Sequence, residues 1–121
     1  MRLKASKNKK AESPIELYTS VPYNLMDYFE WDENKRLLNV KKHDLDFIDA
    51  IHVFDDYNYV ERETKRNNEE RIEIIGKVES ILFVVYVNRS FKKRIISARK
   101  ANLKERKYYE FINAKKPDRL G

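Results

Sequence analysis

The chain has no cysteine and only two glycines, two histidines and one tryptophan in 121 residues. Without cysteine there is no disulfide scaffold, no thiolate-bound zinc and no thiol nucleophile. Gly76 and Gly121 alone cannot build a GxGxxG nucleotide turn or a GxxxxGK phosphate loop. No apolar run approaches the ~20 residues of a membrane span. No apolar stretch or small-residue cleavage site follows the basic start, so the sequence predicts neither a signal peptide nor a membrane partner. What remains is one domain's worth of chain, expected in a reducing compartment, the cytoplasm.

Charge is what the sequence has in quantity. Asp, Glu, Lys and Arg make up 38% of the residues, against a usual ~25%, and Lys plus Arg exceed Asp plus Glu by 26 to 20, a net +6. The excess is unevenly spread. Residues 1–10 hold five bases and no acid, residues 30–79 hold 14 acids against nine bases, and residues 89–107 hold nine bases against the single acid Glu105. A field polarised in this way attracts polyanions, and phosphate contacts supply most non-specific affinity for nucleic acid. A solvated basic helix is the other reading of such a run.

Three regions follow from composition. Residues 1–27 are polar and Lys-rich, carry Pro14 and Pro22, and read as a basic N-terminal extension, largely disordered over 1–12. Residues 28–113 read as the folded domain and 114–121 as a tail. Inside the domain the periods switch. Tyr28 to Trp31 predicts a short strand, with Phe29 and Trp31 in the core. Asp32 is a suitable N-cap for a helix whose apolar side is Leu37, Leu38 and Val40. Asp46 caps a second helix, with Phe47, Ala50, Ile51 and Phe54 at core spacing. Tyr59 to Lys65 predicts an edge strand, Asn67-Asn68 a turn, and Ile72 and Ile74 a strand that Gly76 ends. Ile81 to Val87 reads as a central strand and Arg94 to Ala98 as its neighbour. Asn102 and Glu105 have the form of a capping box, opening a helix with Leu103, Tyr108, Phe111 and Ile112 toward the core. The predicted class is α+β, in the order β-α-α-β-β-β-β-α, with a mostly antiparallel sheet and the helices packed on one face.

Several motifs in this order resemble the BrnT family. They are Phe29-Glu30-Trp31-Asp32, Lys35, Asn39, Lys42-His43, Phe47, Ala50 and Val53-Phe54-Asp55 at the start. Glu69-Glu70-Arg71 and Ile75-Gly76 follow in the middle. Leu82 to Tyr86, Arg94 to Ala101, Glu105-Arg106 and Tyr109-Glu110 complete the set. The likeness covers about residues 29–110. It departs at Asp44-Leu45, where the family usually has Gly-Val, and an Asp there bears on the turn. The resemblance implies a RelE-like fold and a ribonuclease toxin of a type II toxin–antitoxin module. It also implies an RNA substrate cut without metal or other cofactor, and inhibition of translation. The implied partner is a cognate antitoxin, a BrnA-like DNA-binding protein encoded nearby, bound as a hetero-oligomer.

Such cleavage has the 2′-OH attack its own phosphate. It needs a base, an acid, and cations for the charge developing on the phosphoryl oxygens. Guanidinium suits the last role through its planar fork. The candidates are Arg71, Arg94 and Arg99, each of which also reads as a solvent-facing sheet residue. A regular strand would put Arg94 and Arg99 on opposite faces, five being odd against a period of two, unless the chain turns out of the sheet near Ala98. His43 is the candidate general base or acid, or else a residue completing its helix C-terminus. Lys42, Lys92, Lys93 and Lys100 are candidates for RNA phosphate, and Tyr109 for stacking on a base. Tyr108 is expected to pack and His52 to be exposed. Asp44, Asp46 and Asp49 do not make a metal site, since capping explains Asp46. A non-catalytic RNA binder and a degenerate toxin that only binds its antitoxin remain as alternatives.

Overall fold

The computed structural model describes residues 25–115. The N-terminal extension, apart from residues 25–27, and most of the tail lie outside the described residues. The elements are a 3-10 turn at Leu25–Asp27, then β1 (Phe29–Glu30), α1 (Glu33–His43) and α2 (Phe47–Ala50). A 3-10 turn at Ile51–Asp55 follows, then β2 (Val60–Arg66), β3 (Glu69–Lys77), β4 (Ile81–Arg89), β5 (Lys92–Lys100) and α3 (Leu103–Ala114). The sheet order is β1-β5-β4-β3-β2, with β1 parallel to β5 and the rest an antiparallel meander. The α+β class and the element order expected from the periods are thus observed, with β4 central and β2 at an edge. No helix among the described residues is long and apolar enough to cross a membrane.

Local chemistry accounts for the boundaries. The Asp32 carboxylate accepts from the N–H groups of Asn34 and Lys35 at the head of α1, and Asp46 accepts from Ile48 N–H at the head of α2. Helix α1 ends on Asp44 in the left-handed region, φ 56°, with its N–H bonded to Val40 O. An Asp tolerates this conformation through local hydrogen bonding, though Gly does so at least cost. Asn67 and Asn68, both at positive φ, turn β2 into β3, as a two-residue hairpin requires. Asn102 and Glu105 form the capping box in full.

The helices divide between the two faces, and this corrects the expectation of one shared face. On one side Phe47, Ala50, Ile51 and Val53 pack with Ile74, Leu82, Val84, Tyr86, Ile95 and Ala98, flanked by Trp31 and Leu45. On the other, Tyr109 of α3 and Ala101 pack with Ile75, Phe83 and Val85. These are called the α2 face and the α3 face. A strand buried on both sides needs apolar residues at every position, and β4 is buried continuously from Leu82 to Val87. That run is the sequence signature of helices on both faces.

Two further expectations are corrected. Leu37, Leu38 and Val40 of α1 are 52%, 63% and 36% exposed, whereas Asn39 is 7% exposed. The reason lies in β5. Strand β1 pairs only with Lys93 and Arg94, so the rest of that edge lacks a neighbouring strand. Asn39 substitutes for one, donating Nδ2 to Ala98 O (2.8 Å) and to Leu45 O (2.9 Å) and accepting from Ala98 N–H (3.2 Å). Gly76 does not end a strand but pairs with Leu82 inside β3. A Cβ there would stand 3.0 Å from Val53 Cβ and 3.1 Å from Val53 O, so a side chain is excluded by the 3-10 turn passing across it.

Candidate nucleic-acid interface

Strand pairing assigns each cation to a face, because directly opposed residues in an antiparallel ladder point the same way. Arg99 opposes Phe83 and Ser97 opposes Val85, yet Ile95, not Ile96, opposes Tyr86, and Arg94 then opposes Val87. Ile96 is therefore the extra residue of a β-bulge, which resets the alternation of β5. Arg94 and Arg99 consequently lie on one face, the α3 face, without any departure of the chain from the sheet at Ala98. Arg71 precedes Ile72, which opposes Tyr86 on the α2 face, so Arg71 belongs to the α3 face too. All three arginines share that face.

They are not equivalent. Arg99 is bound to Glu105 by two parallel bonds, Nη1–Oε1 and Nη2–Oε2, each 2.9 Å, and its guanidinium lies 4.3 Å above the Phe83 ring. The bonds to Glu105 raise the Arg99 pKa against an opposing effect of burial. Burial raises the Glu105 carboxyl, but the Arg99 guanidinium and the Asn102 N–H more than offset this, and its pKa falls below the ordinary value. Arg99 thus joins the head of α3 to β5. Arg94 and Arg71 are held loosely. Arg94 Nη1 meets Glu30 Oε2 at 3.3 Å and Arg71 Nε meets Glu69 Oε1 at 3.3 Å, leaving most of each five-donor fork available. Arg94 opposes Val87, 4% exposed, and Arg71 lies one residue beyond the last β3–β4 pair, Ile72–Tyr86, so the two arginines stand about two strand spacings, ~10 Å, apart across the sheet. The cluster beneath α3 ends at Val85, short of this row. Beside it, Arg62 Nε bonds Glu73 Oε1 at 2.7 Å. A shallow depression beside it is lined by Val60, Glu61, Arg62, Glu73, Ile75 and Tyr108.

The other candidates separate. Lys92 opposes Arg89 on the α3 face. Lys93 opposes Asn88 on the α2 face, its Nζ 5.7 Å from the Phe54 centroid and 5.5 Å from that of Tyr86. Lys100 opposes Leu82, again on the α2 face. Lys42 and His43 end α1, one exposed and one half-buried. Among the described residues no hydrogen bond links His43 to the three arginines, whose carboxylate partners are Glu69, Glu30 and Glu105. Tyr109 exchanges roles with Tyr108. Tyr109 is 9% exposed and its hydroxyl donates to Asp56 Oδ2 at 2.6 Å, whereas Tyr108 is 41% exposed. Burial, then the bond to Asp56, raises the Tyr109 pKa. A core tyrosine cannot stack on a base, and the correction follows from α3 packing on the face that its own start, fixed by Arg99, selects. His52 is exposed as expected, with Nδ1 2.9 Å from Asp55 Oδ2. The Asp46 carboxylate is occupied by its cap and by Arg36 Nη1 at 2.7 Å.

Glu30, Glu73 and Glu105, which meet Arg94, Arg62 and Arg99, and Phe91, 82% exposed at the β4–β5 tip, are not among the candidates named from sequence. Glu105 carried a signal in its capping-box spacing. The sheet pairings of Glu30 and Glu73 carried none.

The fold and this face define a small α+β domain presenting loosely paired guanidinium groups on one face of the sheet, a surface suited to a polyanion. Residues 31–105 match the family described as "Ribonuclease toxin, BrnT, of type II toxin-antitoxin system". The chain belongs to that family. Among solved structures it is similar to the Brucella abortus ribonuclease toxin BrnT, at 28% identity and a TM-score of 0.51, over 62% of this chain and 97% of that one. Among curated proteins there is no match.

Proposed function

We propose that this chain is a metal-independent endoribonuclease that arrests translation, with Arg71 and Arg94 holding the scissile phosphate between them. The observation that carries the reading is the bulge at Ile96, which returns Arg94 to the face of Arg71. Two half-buried guanidinium groups on either side of one row can each direct N–H donors to a phosphoryl oxygen, where charge grows as the 2′-oxygen attacks. Lys92 extends the cationic strip along β5. Glu30 and Glu73, on the same face, are the carboxylates offered for proton transfer. Arg99, engaged by Glu105, acts as a positioning residue through α3. Lys93 and Lys100 lie on the α2 face, His43 and Lys42 are given no part in this arrangement, and Tyr108 replaces Tyr109 as the ring proposed for its margin.

Family membership supports a cognate antitoxin as partner, with a BrnA-like, DNA-binding protein encoded nearby as the proposed form. The apolar side chains that α1 turns to solvent, Leu37, Leu38 and Val40, offer it a surface. The test is cleavage of single-stranded RNA by the purified chain in EDTA. Wild type cuts, and Arg71→Ala and Arg94→Ala each lose about 10²-fold or more while unfolding as wild type does. Undiminished cutting by both variants refutes the assignment. One observation favours a second reading: among the described residues no hydrogen bond joins either histidine to Arg71 or Arg94, whose partners are Glu69 and Glu30. Salt-dependent RNA binding without any product selects that non-catalytic binder.

A further inference from the structure

We infer that the β4–β5 hairpin tip is a base-stacking element for single-stranded nucleic acid, with Phe91 as the stacking ring. The inference rests on the reading of the α3 face as an RNA surface and adds a base contact to it. Hairpin tips of soluble domains normally carry polar turn residues. Here a two-residue turn holds Ser90 at φ 57°, a conformation that Gly or Asn adopts more readily, and beside it Phe91, 82% exposed. The ring stands on a firm support, since β4 and β5 pair without interruption from Tyr86–Ile95 to the last pair, Arg89–Lys92.

Its surroundings indicate the ligand. Residues 80–104 contain no acid, and Arg89, Lys92, Lys93 and Arg94 flank the ring in sequence. Arg89 and Lys92 face the same side as Arg94 and lie ~7 Å along the strand from its row. A backbone held at Arg94 therefore continues over this pair, and its next base reaches the tip. Tyr28, 53% exposed, comes to the same end of the sheet, its carbonyl accepting from Lys93 N–H at 2.9 Å. Aromatic rings set among cations along a backbone track are how single strands are bound without base pairing. Stacking tolerates every base, so the tip supplies affinity and register ahead of sequence choice.

The test uses the full chain and a 2′-O-methyl oligoribonucleotide, which cannot be cut, carrying 2-aminopurine at successive positions. Wild type quenches the fluorescence at one position on binding. Phe91→Ala loses that quenching and binds about tenfold or more weakly, with its unfolding and the salt slope of affinity unchanged, because no charge has been removed. Phe91→Trp restores both. Binding by wild type with the same quenching and affinity in Phe91→Ala overturns the tip assignment alone. So does a Phe91→Ala effect confined to anionic vesicles or to a protein partner. Failure of wild type to bind the oligonucleotide overturns the RNA surface itself.

Discussion

Asn39 is the polar residue on which the α1–β5 junction depends, and its neighbour Leu38 is apolar and exposed. Replacing each by alanine therefore inverts the usual ranking. In Asn39→Ala, the Ala98 N–H and C=O lose their partner, and Ala98 itself is fully buried. A buried backbone group left unpaired costs about 1–3 kcal/mol. Leu45 O, in a half-buried residue, adds less because water reaches it. The sum is about 3–5 kcal/mol, a large share of the stability of a small domain. At roughly 4–8 °C per kcal/mol, the midpoint falls by about 12–40 °C. Leu38→Ala removes a side chain that is 63% exposed and costs less than about 0.5 kcal/mol. Asn39→Asp keeps the acceptor for Ala98 N–H but turns a carboxylate toward two carbonyls, so it falls as far as alanine. Urea unfolding followed by the fluorescence of Trp31, which packs edge-on to Phe47 at 6.1 Å, reads all three variants. A loss below about 1 kcal/mol in Asn39→Ala, or a larger loss in Leu38→Ala, contradicts the role of Asn39 at the bare edge of β5.

Gly76→Ala should destabilise by about 1–3 kcal/mol in the same assay, because the new methyl meets Val53 at 3.0 Å; a neutral result would mean that the 3-10 turn gives way freely. The Arg99–Glu105 pair makes stability depend on pH in a definite direction. The Glu105 carboxyl is held below its ordinary value in the folded state, so its contribution is complete above the unfolded carboxylate pKa of ~4.3 and is lost as pH falls through the folded value. The midpoint difference between wild type and Glu105→Gln, measured from pH 7 to pH 3, should shrink toward zero at the acid end; a constant difference contradicts the pair. Tyr109→Phe removes the hydroxyl that donates to Asp56 and should cost about 1 kcal/mol without altering RNA affinity, whereas an affinity loss would return Tyr109 to the interface.

The element order was legible because each signal was local. Asp32, Asp46 and the Asn102–Glu105 pair cap helices through bonds spanning two or three residues, and the β4 run declares its own burial. What escaped depends on pairs distant in sequence. Asn39 reaches Ala98, 59 residues on, and nothing in α1 alone shows that β5 has a bare edge there. Likewise Ile96 looks like any strand residue; only its register against β4 reveals the bulge. Strict alternation therefore separated Arg94 from Arg99, whereas the fold reunites them. The choice between Tyr108 and Tyr109 failed for a related reason. Helical period identifies an apolar stripe, but the direction in which α3 lies across the sheet decides which tyrosine enters it.

Arg71 and Arg94 are proposed to stabilise an attack by the RNA's own 2′-oxygen on the scissile phosphate. The most direct measurement incubates the purified chain, in EDTA, with a single-stranded RNA and with the same RNA carrying one 2′-deoxy nucleotide at the cut site. The expected result is a product ending in a 2′,3′-cyclic or 3′-phosphate from the first, no product at that position from the second, and binding of both with equal affinity. Cutting of the 2′-deoxy substrate at the same rate, or dependence on an added divalent cation, would contradict it.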